Sequence, residues 1–369
     1  MVDIYYDLAD PDSASLAITV LVSTDGGASY TLPATSFSGS GWGSAVTPGS
    51  NKQITWNAGA DWSGHYSAKV RFRVIADDAA VASDMALIPA GIFTMGNCMD
   101  PSEGNPNELP MHTVYVSAFY MDKYLVTKGL WDTVKVWKGG NGYSYDYAGS
   151  GKANTHPVQT VNWYDMVKWC NARSEKEGWV PCYYADSGLT AVYKTGQVAP
   201  YVKWGAKGYR LPTEAEWEKA ARGGANRHRF PWSDADTINQ SRANYYSEWS
   251  GGVPHYPYDV NPTSGYHPTF KNGVIPYTSP VGYFAPNGYG LYDMVGNVWE
   301  WCWDWQSDTY YTSSPGSDPV GPDIGLNRVL RGGGWSDAAY WSRCADRNVN
   351  YGGPSETSSA VGFRCVRRP

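Results

Sequence analysis

The aromatic load decides most about what this chain can become: 18 Trp and 29 Tyr stand beside only 8 Phe, scattered among 41 Gly and 24 Pro. Gly and Pro interrupt regular elements and set turns. Indole and phenol rings bury large apolar areas while keeping a polar end for hydrogen bonding. Together they describe a loop-rich chain whose irregular backbone is held in place by rings. The hydrophobic fraction of 42% against 17% charged residues supplies a core and excludes a self-repelling, disordered chain. A length of 369 residues suggests roughly two or three domains.

Charge narrows the partners. With 29 basic against 35 acidic side chains, the net charge is -6, and there is no basic surplus to displace phosphate counterions. An electrostatic nucleic-acid binder is therefore excluded; Arg364, Arg367 and Arg368 form only a local cluster. No run approaches the roughly 18 to 20 apolar residues of a membrane span. Met1–Tyr6 has neither the basic nor the apolar region of a leader. The expected location is secreted or cell-surface, with any signal peptide outside the given chain.

Residues 1–78 read as short strands, clearest at Leu16–Val22 and Ala68–Val74, and predict a small Ig-like β-sandwich. Asp25-Gly26-Gly27 reads as a hairpin turn between two strands. Asp7, Asp10 and Asp12 are read as Asx turns in preference to a calcium cluster. Small and polar residues at 79–84 predict a linker, after which 85–369 reads as one long α+β unit. Strands are expected at Met85–Pro89 and Thr113–Val116, and a helix around Tyr164–Ala172. A second helix is signalled by Thr213-Glu214-Ala215-Glu216, a capping box, and by Gly223-Gly224 as its stop. Between 225 and 290 the many aromatics imply packed loop.

The cysteines, Cys98, Cys170, Cys182, Cys302, Cys344 and Cys365, have no zinc spacing. Trp299, Trp301, Trp303 and Trp305 alternate with period two, which reads as framework packing ahead of sugar stacking. His112 and His156 read as structural, and Asn239 heads the one glycosylation acceptor.

Several phrases form a larger pattern: Ile88-Pro89-Ala90-Gly91 to Met95-Gly96, Gly208–Glu218, Asn287–Trp301, Arg328–Trp335, and Val361–Cys365. In this order they closely resemble the formylglycine-generating enzymes, also called sulfatase-modifying factors, over about residues 84–369. The resemblance implies a loop-rich, C-type-lectin-like α+β fold. It implies a calcium site from the side chains of Asp293 and Glu300 and the carbonyls of Gly296 and Val298, an oxygen set suited to a hard cation. The alternative for those carboxylates is a loop cap at Asp293 and an arginine partner for Glu300. A second calcium site would use Asn244 and the carbonyl of Tyr245, with Asn272 or Asp259 as the nearest acidic-side candidates. Cys170 and Cys365 match positions that are disulfide-bonded in the enzymes.

The resemblance also marks a departure. The enzymes bind copper through two cysteines, soft ligands for Cu(I). The second of these falls on Ala339 here, the first has no counterpart, and the family's serine is Gly334. Cys344 resembles a structural cysteine whose partner position is Ala221. The expectation is therefore calcium without copper and no catalytic residue, with Trp335, Tyr340 and Trp341 as a binding surface. The function read from this is a non-catalytic exported protein that binds a protein or glycan or assembles with copies of itself, as in a filament or surface layer. The alternative is an oxidative enzyme that converts a substrate cysteine to formylglycine or makes a related modification.

Overall fold

Patterned strands in the first 77 residues give two three-stranded sheets. The computed structural model describes residues 1–9, 16–77, 84–97, 99, 102–137, 142–225, 227–348 and 352–369. Asp10, Asp12, Cys98 and most of the expected linker lie outside the described residues. The chain divides into two compact units, the first being Met1–Met85 with Pro89–Ile92 and Pro369.

The first unit contains β1 (Val2–Leu8), β2 (Leu16–Ser23), β3 (Phe37–Ser38), β4 (Gly43–Val46), β5 (Gly49–Trp56), a one-turn helix α1 (Ala58–Asp61) and β6 (Arg71–Asp77). One sheet runs β1-β5-β3 and the other β4-β2-β6. Leu8, Leu16, Ile18, Val20, Val46 and Ile54 from both sheets share one apolar cluster. The Asp25 turn forms: Asp25 Oδ1 accepts from Ser29 N at 2.9 Å, and Gly26 and Gly27 take φ of +86° and +97°. The strand after the turn differs from expectation. β2 pairs with β4 and β6, and the turn leads only to a single bridge, Val22 to Leu32. Asp7 forms no local Asx turn with Asn51: it lies in β1, and its Oδ1 accepts from Asn51 N of the paired strand β5 at 2.7 Å, 44 residues along the chain.

The second unit takes in Ala86–Ile88 and Phe93–Arg368. In chain order the elements are β7 (Met85–Ile88), β8 (Gly91–Met95), β9 (His112–Val116), β10 (Phe119–Asp122), α2 (Lys128–Lys135), α3 (Trp163–Lys176), β11 (Tyr183–Tyr184), β12 (Tyr201–Val202), α4 (Glu214–Ala221), β13 (Trp249–Ser250), β14 (Val253–Pro254), β15 (Trp299–Trp305), β16 (Arg328–Arg331), β17 (Val361–Gly362) and β18 (Val366–Arg367). Its sheets are small: β10 lies between β18 and β7, and β15 between β16 and β17. Helix α2 is capped by Thr127, a signal the sequence reading did not take up.

Helix α4 carries the logic of this unit. Both halves of the capping box form, with Glu216 N donating to Thr213 Oγ1 at 3.2 Å and Thr213 N to Glu216 Oε2 at 2.8 Å. Every residue of the helix is buried. Ala215, Trp217, Ala220 and Ala221 enter the main apolar cluster. The three glutamates can be buried only because each meets arginine: Glu214 with Arg347, Glu216 with Arg210, and Glu218 with Arg222 and Arg331. Breaking such a pair from one side typically costs about 3–5 kcal/mol, because the remaining charge is stranded.

The stretch from 225 to 290 packs as loop, with Phe230, Ile238, Ala243, Tyr245 and Tyr258 in one cluster with Val295 and Ala339. Strand β15 is buried on both faces at its start, so its tryptophan alternation does not separate inside from outside. The Trp303 ring lies 5.3 Å from Trp163 and 5.5 Å from Tyr183, as framework.

Candidate functional site

Two segments that the sequence singles out meet at the start of β15. The first is the loop Asp293–Glu300. Asp293 and Asn297 take φ of +53° and +65°, and Gly296 takes +76°. Only glycine fits at 296, since a Cβ there would stand 2.5 Å from the carbonyl oxygen of Asn244. Gly296 N donates to Gly332 O at 2.8 Å and Asn297 N to Asn244 O at 2.8 Å, so the loop ties three distant stretches together.

The two carboxylates of this loop differ. Asp293 Oδ2 accepts from Gly282 N at 2.7 Å, whereas its Oδ1 is buried without a hydrogen-bond partner among the described residues. Burial pushes the Asp293 carboxyl up to about 6. An orphaned, buried oxygen of this kind fits a hard cation. Glu300 is already engaged: Arg364 donates to it twice, at 2.7 and 2.8 Å, and Trp217 Nε1 donates at 3.0 Å. The structure thus brings Asp293, Gly296, Val298 and Glu300 into one loop, with Glu300 in the arginine pairing weighed as the alternative.

Asn244 and Tyr245 lie beside this loop. Asn244 Nδ2 donates to Tyr277 O at 2.9 Å, and Tyr245 O accepts from Gln240 Nε2 at 3.0 Å. Asp259 is saturated by Tyr245 Oη at 2.5 Å, Ser247 Oγ at 2.9 Å and Asn261 N at 3.1 Å. Asn272 is exposed.

The second segment is Gly332–Cys344. Its main feature was missed in the sequence: Asp337 Oδ2 accepts from Trp299 Nε1 at 2.8 Å and from Gly334 N at 3.1 Å. That oxygen would lie 3.0 Å from a Cβ at Gly334, so the carboxylate crowds the space a serine side chain would need. Burial raises the Asp337 carboxyl to about 6. The glycine at 334, where the resemblance implies a serine, was the available signal, but nothing local told which side chain would take the space.

The expected binding surface is partly corrected. Trp335 is only 6% exposed, with its ring 5.3 Å from Tyr277 and 5.7 Å from Tyr266, so it braces the segment from inside. Tyr340 and Trp341 are half-buried, 4.8 Å apart, and Tyr340 also meets Tyr256 at 5.7 Å. Below them Arg343 is paired twice with Glu108, at 2.7 and 2.8 Å.

Ala339 is fully buried, and Cys344 shares the main apolar cluster with Ala221. All five described cysteines are buried. Cys170 on α3 and Cys365 face each other with sulfurs 3.6 Å apart, as thiols. His156 Nδ1 lies 2.9 Å from Thr278 Oγ1 and His112 Nδ1 3.1 Å from Pro110 O, positions that fit structural roles.

Residues 71–369 match the sulfatase-modifying factor enzyme 1-like domain. The formylglycine-generating enzyme of Streptomyces coelicolor is 36% identical over 299 residues, covering 76% of this chain and 87% of that protein. The formylglycine-generating enzyme of Mus musculus is 33% identical over 296 residues, covering 76% and 74%. Among solved structures, Treponema denticola variable protein 1 aligns at a TM-score of 0.57 and 30% identity, over 77% of this chain and 95% of that one. PvdO from Pseudomonas aeruginosa aligns at 0.55 and 27% identity, over 77% and 94%.

Proposed function

This chain belongs to the sulfatase-modifying factor family, and on that premise we propose that it recognises a polypeptide on the family's scaffold without the family's thiolate chemistry. The carrying observation is the donor set of Gly332–Cys344. Where the resemblance puts the second copper ligand stands a buried alanine, Ala339, and the next sulfur, Cys344, is sealed in the apolar cluster. Alanine has no soft donor for Cu(I). What the segment offers a ligand is aromatic: Tyr340 and Trp341, half-buried, with Tyr256 of the 225–290 stretch beside Tyr340 and the Tyr340 ring over the Arg343 guanidinium that Glu108 pairs. Rings on a rigid base are the usual anchors of a protein contact. Export, and assembly with further copies of the chain, belong to the same reading.

A second reading is an oxidative enzyme acting on a substrate cysteine, and the comparisons favour it: the formylglycine-generating enzymes are 33–36% identical over three quarters of the chain. It would need a donor set other than the paired cysteines. Calcium is part of both readings, with the unpartnered Oδ1 of Asp293 in its support.

One metal titration tests these. With Cu(I), calorimetry should show no stoichiometric tight site, and a cysteine peptide should cause no oxygen uptake. Tight Cu(I) binding with oxygen uptake would overturn the binding reading in favour of the enzyme. With Ca²⁺, saturable binding that Asp293→Asn abolishes is expected, and binding unchanged in that variant would remove the ion from this loop.

A further inference from the structure

A cavity of about 310 Å³ opens between the stretches 231–242 and 285–295 of the second unit, and neither Tyr340 nor Trp341 is in its wall. Pro231, Trp232, Pro286, Leu291 and Met294 make much of that wall apolar. The Trp232 indole is held in place: Phe230 stacks on it at 5.4 Å, the Arg242 guanidinium lies 5.0 Å from its ring centre, and its Nε1 donates to Thr237 O at 3.0 Å.

The polar side chains of the wall are engaged with one another or with backbone, except at one atom. Asn287 donates through Nδ2 to Ala220 O and Ala221 O and accepts at Oδ1 from Tyr289 N and Leu291 N. Ser241 Oγ donates to Asn239 Oδ1 at 2.5 Å. Arg242 donates twice to Asp234, at 2.7 and 2.5 Å, so that pair is neutral. The exception is on Asp293, a residue only 7% exposed. Its Oδ2 is turned to Gly282 N, which leaves Oδ1, without a hydrogen-bond partner among the described residues, as the carboxyl atom open to a ligand. Asp234, Asp293 and Arg242 are the charged residues of the wall, so it carries an excess of one negative charge, and that charge sits on Asp293. Arg364, whose Nη2 donates to the Asp293 carbonyl at 3.3 Å, lies outside the wall and is balanced by Glu300 through two hydrogen bonds.

We infer that this cavity binds a small organic cation, a primary amine with an apolar body. Its ammonium donates to Asp293 Oδ1, and its body lies against Pro286, Leu291 and Met294. An ammonium supplies donors and no acceptor, which is what a carboxylate oxygen lacking a partner calls for. A buried carboxylate without a counter-charge is costly, so the cation that reaches it is bound strongly for its size. A volume at the lower end of ligand pockets limits the body to about one ring. A carboxylate ligand would meet Asp293 with only an arginine already paired to Asp234. The cavity shares Asp293 with the calcium reading, and Ca²⁺ and an ammonium exclude each other at one oxygen; it does not rest on the polypeptide surface at Gly332–Cys344.

The test titrates the full chain, in EDTA, with three probes of one shape, phenethylamine, phenethyl alcohol and hydrocinnamate, by ligand-observed NMR and calorimetry. Phenethylamine should saturate with a Kd of about 1 mM or tighter, the alcohol should bind more weakly, and hydrocinnamate should not bind. Asp293→Asn, which keeps the shape and removes the charge, should weaken phenethylamine about tenfold or more. Ala285→Trp, at an exposed position of the wall, fills the cavity and keeps Asp293, so it should abolish amine binding and leave a separate Ca²⁺ titration unchanged. Because EDTA holds Ca²⁺ away from the amine titration, failure of the calcium or the polypeptide reading leaves this result as it stands. The inference is overturned if phenethylamine does not saturate, if the alcohol or hydrocinnamate binds equally, or if either variant binds phenethylamine as the parent does.

Discussion

The two compact units bury their interiors by different means. The first is an aliphatic sandwich, where Leu8, Ile18, Val20, Val46 and Ile54 meet between the two sheets and no charged side chain is buried among the described residues. The second buries charge as freely as it buries indole. Glu108, Glu214, Glu218, Glu300, Arg331, Arg343, Arg347 and Arg364 are each at most 2% exposed. An apolar cluster is non-directional and tolerates small changes of shape. A buried guanidinium–carboxylate pair is directional and fixes two loops at one orientation, at the cost of desolvating both ions. That suits a unit with short strands and long loops, whose backbone would otherwise have few positions pinned.

This contrast can be broken by experiment. The largest effect is expected at Glu218, which holds both Arg222 and Arg331 and accepts from Gly96 N at 2.9 Å. Glu218→Gln keeps the shape and removes the carboxylate nearest to two buried guanidinium groups, so the second unit should lose about 3–5 kcal/mol. Urea unfolding, followed by hydrogen exchange within each unit, would measure it; a loss under about 1 kcal/mol would mean the charge pairs are incidental.

A smaller effect with a pH signature is expected at Asp337. Its carboxyl holds its proton more strongly in the folded chain, up to about 6 from an ordinary 3.8. The folded state therefore binds more protons between those values. Stability is greatest below the lower one, falls as pH rises towards about 6, and stays lower above it. Asp337→Asn cannot ionise and should remove that fall, gaining of order 2 kcal/mol at pH 8 relative to the parent and little at pH 4. Urea midpoints at the two pH values decide it, and an equal difference at both would contradict the burial of a charge there.

The smallest effect should come from Ile54→Val in the first unit, where Ile54 is fully buried. One methyl group is removed from an aliphatic cluster, which costs about 0.5–1.5 kcal/mol with no pH dependence. Confinement of the loss to the first unit, read by hydrogen exchange, would complete the contrast.

Local signals carried over well from sequence to structure. The capping box at Thr213–Glu216 and the glycine stop at 223–224 each involve groups within a few residues, and both appear in the folded chain. The family phrases also led to the loop-rich fold. What failed to carry over was pairing at long range. The turn at Asp25 was legible, whereas the partner of β2 was not, because the same alternating strand can be completed by any other of matching pattern. Trp335 looked like a surface residue by its segment, yet Tyr266 and Tyr277, from a distant loop, cover it.

The amino-acid order alone settled that rings and glycines would dominate and that α4 would begin at Thr213. These are properties of composition and of neighbours along the chain. Only the folded structure decided which arginine neutralises which glutamate, as with Arg343 and Glu108, 235 residues apart, and that Asp337 crowds the space beside Gly334. The reason is physical: such a contact has no local free energy to announce it, and arises when burial leaves a charge one partner within reach.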